Sequence, residues 1–197
     1  MTLVLASASA SRQMLLRGAG IAFEVSPADL DEAGLMAGLQ AKGTPAAGIA
    51  GALAEQKALA VSRRMPGRLV LGGDSVLAFG SGLVSKCRDL AELRALLTRL
   101  KGKRHTLFSA AALARDGRCL WSHTGQAELT MRNFSPEFLE AYLAAEGKAV
   151  LSCVGGYRYE GPGAQLFQTV EGDYFTILGL PLLPVLAALR TQENLPS

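Results

Sequence analysis

Three stretches of this chain combine residue types and spacings that suit chemistry on phosphate. The first is Ser7, Ser9 and Ser11 followed at once by Arg12, a run of small residues between an apolar segment and a helical one. Hydroxyls and accessible backbone N–H groups ahead of a helix N-terminus make an anion site. An arginine adds a two-pronged donor fork that matches phosphate. The second stretch is Gly72-Gly73-Asp74-Ser75. An aspartate placed beyond the apolar run Leu69–Leu71, with two glycines that permit close approach, can hold a metal or take a proton from water. The third is the acidic loop Asp29-Leu30-Asp31-Glu32, from which Glu32 can supply a second carboxylate. Lys57, in an alanine- and leucine-rich helical stretch, and Lys86, just beyond a hairpin, are candidate phosphate binders. Each residue has an ordinary structural alternative: a capping serine, a turn aspartate, a solvated loop glutamate, a lysine whose stem covers apolar surface while its head stays wet. Taken together, an anion loop, several cations and two carboxylates describe metal-assisted attack of water on a polyphosphate. The cations would neutralise charge along the phosphate chain.

Other chemistries lack their patterns. The two histidines, His105 and His123, form no H-E-x-x-H, and there is neither a G-x-S-x-G elbow nor a G-x-x-x-x-G-K-[ST] loop. His105 reads as a histidine at a strand start, satisfied by backbone. The three cysteines, Cys87, Cys119 and Cys153, are odd in number and widely spaced, without a CxxC pair. That usage suits a reducing compartment and a cytoplasmic protein.

The elements that must position these residues can be read from punctuation and periodicity. Thr2 to Ala6 is a buried strand, and a helical face begins near Met14 and stops at Gly18 and Gly20. Ile21 to Val25 is a second strand. Thr44-Pro45 starts a helix reaching about Arg64, with Ile49, Leu53 and Lys57 roughly on one stripe. Leu69 to Leu71 is a strand entering Gly72-Gly73-Asp74-Ser75. Val76–Phe79 and Leu83-Val84 flank a turn at Gly80 to Gly82. Asp89 to Glu92 resembles a capping box and opens a helix to about Leu100. Asp116-Gly117 joins two long strand-like runs, a strong hairpin signal. Ser135-Pro136-Glu137 starts another helix, closed by Gly147, and a last helix lies near Leu182 to Arg190. These elements predict an α/β protein with a mixed, partly antiparallel sheet and flanking helices.

Composition sets the outer bounds. With 197 residues, 49% hydrophobic and 19% charged, the chain is expected to form one domain over 1–197, or two lobes sharing one core, and is not disordered. The formal net charge of +3 comes without a dense basic stripe, and Trp121 is the only tryptophan for stacking, so a nucleic-acid partner is not expected. The longest apolar run, Ile177 to Leu189, is interrupted by Pro181 and Pro184, so no membrane span is expected either.

Several short stretches also fall in a telling order: Leu5-Ala6-Ser7-Ala8-Ser9-Ala10-Ser11-Arg12, then Asp31-Glu32, then Leu53-Ala54-Glu55-Gln56-Lys57-Ala58. Gly72-Gly73-Asp74-Ser75, Ser85-Lys86-Cys87, Gly102-Lys103-Arg104-His105, Glu171-Gly172-Asp173-Tyr174 and Gly179-Leu180-Pro181 follow. In this order they resemble the Maf family of nucleoside triphosphate pyrophosphatases, from Leu3 to about Leu189. The resemblance implies hydrolysis of a nucleoside triphosphate to the monophosphate and pyrophosphate, with a divalent cation, Mg²⁺ or Mn²⁺. It implies a mixed sheet split by a deep cleft, similar to the inosine triphosphatase (Maf/Ham1) fold. Carried over residue by residue, Asp74 is the proton acceptor for water and a metal neighbour, and Glu32 helps hold the metal. Arg12, Lys57 and Lys86, with Ser7, Ser9 and Ser75, contact the substrate.

The sequence departs from the family pattern in three places. Only Arg12 stands where the family has two arginines, with Ala10 in place of a proline, and Ser75 replaces a threonine. In the segment from Ser152 to Gly161 the family's aspartate, lysine and glutamine are absent: Ser152 stands at the aspartate and Glu160 at the glutamine. The loss at Ser152 leaves the metal to Glu32 and Asp74, or recruits Asp173. Glu160-Gly161 looks more like the branch that acts on 7-methyl-GTP. A carboxylate can accept from guanine N1–H and N2–H₂, whereas uracil offers one imide N–H between two acceptors. A dTTP/UTP pyrophosphatase, or a non-catalytic nucleotide-binding regulator of septum formation, is the alternative reading, and a homodimer is left open.

Overall fold

The computed structural model describes residues 2–192. Its strands are β1 (Leu3–Leu5), β2 (Phe23–Val25), β3 (Val70–Phe79), β4 (Gly82–Val84), β5 (Arg104–Arg115), β6 (Arg118–Met131) and β7 (Phe167–Glu171). Its α-helices are α1 (Ala10–Gly18), α2 (Glu32–Ala41), α3 (Ala46–Arg64), α4 (Leu90–Leu100), α5 (Pro136–Glu146), α6 (Tyr174–Ile177) and α7 (Leu182–Thr191). Short 3₁₀ turns occupy Gly147–Ser152 and Pro162–Leu166. The strands form one sheet in the order β2-β1-β3-β5-β6-β7, with β4 beside the far end of β3. β1 runs parallel to both β2 and β3, and the remaining pairs are antiparallel. The architecture is therefore mixed α/β, as the alternation of element types predicts.

Period-two alternation assigns the two faces. Leu3, Leu5, Leu69, Leu71 and Leu77 enter the larger core, with α4, α5 and α7 supplying Leu93, Leu97, Leu143 and Val185. Val4, Val70, Val76, Ala110 and Ala112 face the other way, against Ile49, Ala50, Leu53, Ala54 and Ala58 of α3. The long hairpin turns at Asp116-Gly117 with φ of 51° and 73°, the positive values a tight two-residue turn demands. Asp89 caps α4 by accepting from the Glu92 N–H at 2.8 Å. α3 begins at Ala46 behind Pro45 with no side-chain cap, one residue beyond the start read from Thr44-Pro45. Among the described residues no helix is long and apolar enough to cross a membrane.

Two local readings need correction. Asp74 does not follow a strand ending at Leu71: β3 runs unbroken from Val70 to Phe79 and pairs residue by residue with β5 across Gly72 to Ser75. The glycines serve packing instead. A Cβ on Gly72 would lie 2.1 Å from the Ala54 carbonyl oxygen, because α3 rests directly on the strand there. Glu32 is not in a loop. It is the first residue of α2, and Asp31 is the cap, accepting from the Gly34 N–H at 2.9 Å.

Candidate active site

One edge of β3 is interrupted. β1 pairs with it only at Val70 and Leu71, and β4 only from Leu77 to Phe79. Among the described residues Gly72 to Val76 have no strand on that side, although β5 covers their other edge throughout. The gap opens at the C-terminal end of β1, the kind of place where α/β sheets bind ligands. Alternation sends Asp74 to the α3 face and Ser75 to the opposite face. One strand thereby serves two clusters.

On the α3 face, Lys57 continues the buried stripe of Ile49 and Leu53. Its side chain is about 10% exposed, so the stem is packed instead of reaching for water. Its ammonium lies 2.6 Å from Asp74 Oδ1 and 2.8 Å from Glu32 Oε2. The two candidate carboxylates therefore converge on one cationic point. Asp74 is as buried as Lys57, whereas Glu32 is half exposed at 47%.

On the other face lies Arg12, in the first turn of α1, whose N-cap Ser9 accepts from the Arg12 N–H at 3.4 Å. The guanidinium is buried and donates three times: Nε to the Gly179 carbonyl at 2.8 Å, Nη1 to Ser7 Oγ at 3.0 Å and Nη2 to Ser75 Oγ at 3.0 Å. Two of its five N–H groups have no protein acceptor among the described residues. Ser75 Oγ also lies 3.0 Å from Ser109 Oγ on β5. Gly73 and Gly179 leave room for this arrangement: a Cβ on Gly73 would stand 3.0 Å from Arg12 Nε, and Gly179 adopts φ of 103°. Burial lowers the Arg12 guanidinium from its ordinary value, and the nearby Asp74 and Glu32 carboxylates oppose that shift. Sequence reading missed Ser109, whose alternation with Leu107 and Ala111 was its only signal, and missed the carbonyl of Gly179 as the anchor of Arg12.

The structure thus brings Ser7, Arg12, Glu32, Lys57, Asp74 and Ser75 to the interrupted stretch of β3. Ser9 stays beside it as the cap of α1. Lys86, just beyond β4, and Glu160 are both exposed, and Glu160 belongs to a second region. This region is the irregular segment from Ser152 to Gly161, between the two 3₁₀ turns. Three ties hold it. Tyr142 on α5 donates to the Gly156 carbonyl at 3.0 Å. The Tyr157 hydroxyl meets His105 Nε2 at 3.1 Å. Arg158 donates through Nε and Nη2 to both oxygens of Glu146, at 2.7 and 3.2 Å. The Glu146 side chain is only 1% exposed, so Arg158 neutralises a charge buried under the segment. His105 is bonded to a tyrosine, not to backbone, and burial pushes its imidazole down to about 4. The partly buried Cys153 thiol is raised chiefly by burial; Glu160 adds to the shift, whereas Arg158 and Lys86 oppose it. Lys86 and Glu160 are thus within electrostatic reach of one side chain.

Asp173, the alternative metal recruit, is otherwise engaged, and Ser152, at the place of the family's aspartate, brings no carboxylate. Asp173 caps α6, accepting from the Phe175 and Thr176 N–H groups at 2.9 Å each. Ser152 is exposed and donates to the Ala149 carbonyl at 2.8 Å. Among the described residues no three His, Cys, Asp or Glu side chains group as a metal site. Glu32 and Asp74 remain as a pair of hard oxygen donors.

The family model described as Maf-like protein matches residues 2–192. A nucleoside triphosphate pyrophosphatase of Rhodopseudomonas palustris (strain BisB18) is 53% identical over 194 residues, 98% of this chain and 95% of that one. A 7-methyl-GTP pyrophosphatase of Mesorhizobium japonicum is 49% identical over 189 residues, 96% of this chain and 95% of that one. Among solved structures, a HAM1 protein from Coxiella burnetii is 19% identical, with a TM-score of 0.44 over 68% of this chain and 75% of that one.

Proposed function

The chain belongs to the Maf-like protein family, and from that premise we propose that it hydrolyses a nucleoside triphosphate to the monophosphate and pyrophosphate, with 7-methyl-GTP as the favoured substrate. The observation that carries this reading is the convergence of Asp74, Glu32 and Lys57 opposite the buried Arg12, at the interrupted edge of β3.

Arg12, fixed by Ser7, Ser75 and Gly179, presents its two remaining N–H groups to phosphate oxygens. Ser7 and Ser9 stand in the turn between β1 and α1, next to Arg12. Lys57 and Lys86 add positive charge to the phosphate chain. Asp74, held on a rigid strand, accepts the proton of the attacking water. Hydrolysis between the α- and β-phosphorus then releases pyrophosphate.

The residues fit a divalent cation. Arg12 and Lys57 balance Asp74 and Glu32, so the cluster itself is neutral and a polyanion bound there needs further positive charge. Asp74 and Glu32 already converge on a cation, and two carboxylates with substrate phosphates are the usual company of Mg²⁺ or Mn²⁺. When bound, the cation supplies charge neutralisation on the phosphoryl oxygens. Glu160 supports the choice of base, as a carboxylate suited to the N1–H and N2–H₂ edge of guanine. The name of the Mesorhizobium japonicum relative points the same way.

The test is pyrophosphate release with Mg²⁺ or Mn²⁺ from 7-methyl-GTP, GTP, CTP, dTTP and UTP. The expected result is a marked preference for 7-methyl-GTP. Preference for dTTP or UTP would keep the reaction and overturn the base assignment. No pyrophosphate from any of them would leave a nucleotide-binding regulator as the reading.

A further inference from the structure

Lys57 stands where a phosphate-binding lysine would not be expected to rest. It points at the two carboxylates and takes both. We propose that in the nucleotide-free protein Lys57 is a built-in substitute for the divalent cation, so that the cation is admitted together with the triphosphate and not before it. The proposal rests on Asp74 and Glu32 being the cation's protein ligands.

The packing argues for it. Lys57 shares the buried face of α3 with Leu53, Ala54 and Ala58 and its side chain is about 10% exposed, so without another anion its head has nowhere better to turn than the two carboxylates. A Cβ on Gly72 would lie 2.7 Å from the Ala58 nitrogen, which shows how tightly this turn of α3 meets the strand. A free dication approaching Asp74 and Glu32 meets an ammonium already within 2.8 Å of both. To bind, it must force Lys57 off its carboxylates in a place where that side chain is about 10% exposed and water cannot easily take over. Like charges so close and so poorly solvated oppose one another strongly. A triphosphate removes the obstacle because its oxygens offer Lys57 new anionic acceptors, and the released carboxylates then face the cation that the phosphates carry. Glu32, half exposed, is the partner free to swing, whereas Asp74 is held by the strand. Lys57 thus joins substrate binding to cation binding and keeps the carboxylates from taking a metal idly.

The test needs no turnover. Free Mn²⁺ is titrated into the nucleotide-free protein and followed by electron paramagnetic resonance, for wild type and for Lys57→Met. The variant is expected to bind Mn²⁺ at least about tenfold tighter than wild type, and Lys57→Met/Asp74→Asn to lose that gain. Equal or weaker binding by Lys57→Met, or a gain that survives the loss of Asp74, would overturn the proposal. Lys57→Met leaves Asp74 buried without a counter-charge and can fail to fold, so a second measurement uses wild type alone. Its thermal midpoint is expected to stay unmoved by Mn²⁺ and to rise with Mn²⁺ plus an α,β-methylene nucleoside triphosphate. A rise with Mn²⁺ alone as large as with the pair would also overturn it. A protein that shows the Mn²⁺ behaviour but releases no pyrophosphate would reject the proposed reaction and leave this inference standing.

Discussion

The cluster at β3 and the segment from Ser152 to Gly161 are held in opposite ways. Asp74 and Ser75 sit in mid-strand, Lys57 in mid-helix and Arg12 in the first turn of a helix; Lys57 is ion-paired with Asp74 and Glu32, and Arg12 is fixed by three hydrogen bonds. The segment has no regular element between its two 3₁₀ turns and is held by the burial of Tyr157 in the larger core and by side-chain ties to Tyr142, His105 and Glu146. Its candidate base-reading residue, Glu160, stands exposed. Chemistry that must place a proton acceptor accurately gains from a rigid scaffold. Recognition of a base can be carried on a separately tethered loop, whose residues can change without disturbing the strand.

Substitutions should separate the two regions. The largest effect is expected from Asp74→Asn, which keeps the shape and removes the proton acceptor. Pyrophosphate release should fall about 10³-fold while nucleotide binding persists, and a variant with unchanged turnover would remove Asp74 from its role. Next comes Arg158→Ala, which strands the Glu146 carboxylate, 1% exposed, without a partner. Denaturant unfolding should show a loss of about 3–4 kcal/mol, and discrimination among bases should flatten more than catalysis falls.

His105 gives a pH signature to the same region. Its folded imidazole titrates at about 4 against an ordinary 6.5, so below pH 6.5 the unfolded chain binds a proton that the native one refuses. Stability should therefore fall as pH drops from 6.5 towards 4, by up to ~3 kcal/mol, and level off below. In His105→Gln that part of the slope should vanish, as thermal unfolding across pH would show. The smallest effect is expected from Glu160→Gln, which should reduce the preference for 7-methyl-GTP over dTTP about tenfold at little cost in stability. A Glu160→Gln protein with unchanged preference would move base recognition elsewhere in the segment.

The contrast also governs what the sequence reveals. The anion loop before α1, the Lys57 helix and the Asp116-Gly117 hairpin are local, so spacing and turn chemistry predict them. The Gly-Gly before Asp74 misleads because glycine normally weakens a strand. Here Gly72 makes room for the backbone of α3, a demand set by residues 14 to 18 positions away and invisible locally. Glu32 misleads less: Asp31 as a cap is readable, but α2 buries none of its residues and offers little periodicity. The Arg12 bond to Gly179 spans 167 residues, and the ties of Tyr157 and Arg158 are tertiary contacts without a local pattern.

The central claim is that the cluster at β3 cuts a nucleoside triphosphate between its α- and β-phosphorus. The most direct measurement follows the phosphorus by ³¹P NMR as wild-type protein turns over 7-methyl-GTP with Mg²⁺. Nucleoside monophosphate and pyrophosphate appearing in equal amounts is the expected result. Nucleoside diphosphate and orthophosphate, or an unchanged triphosphate, would contradict it.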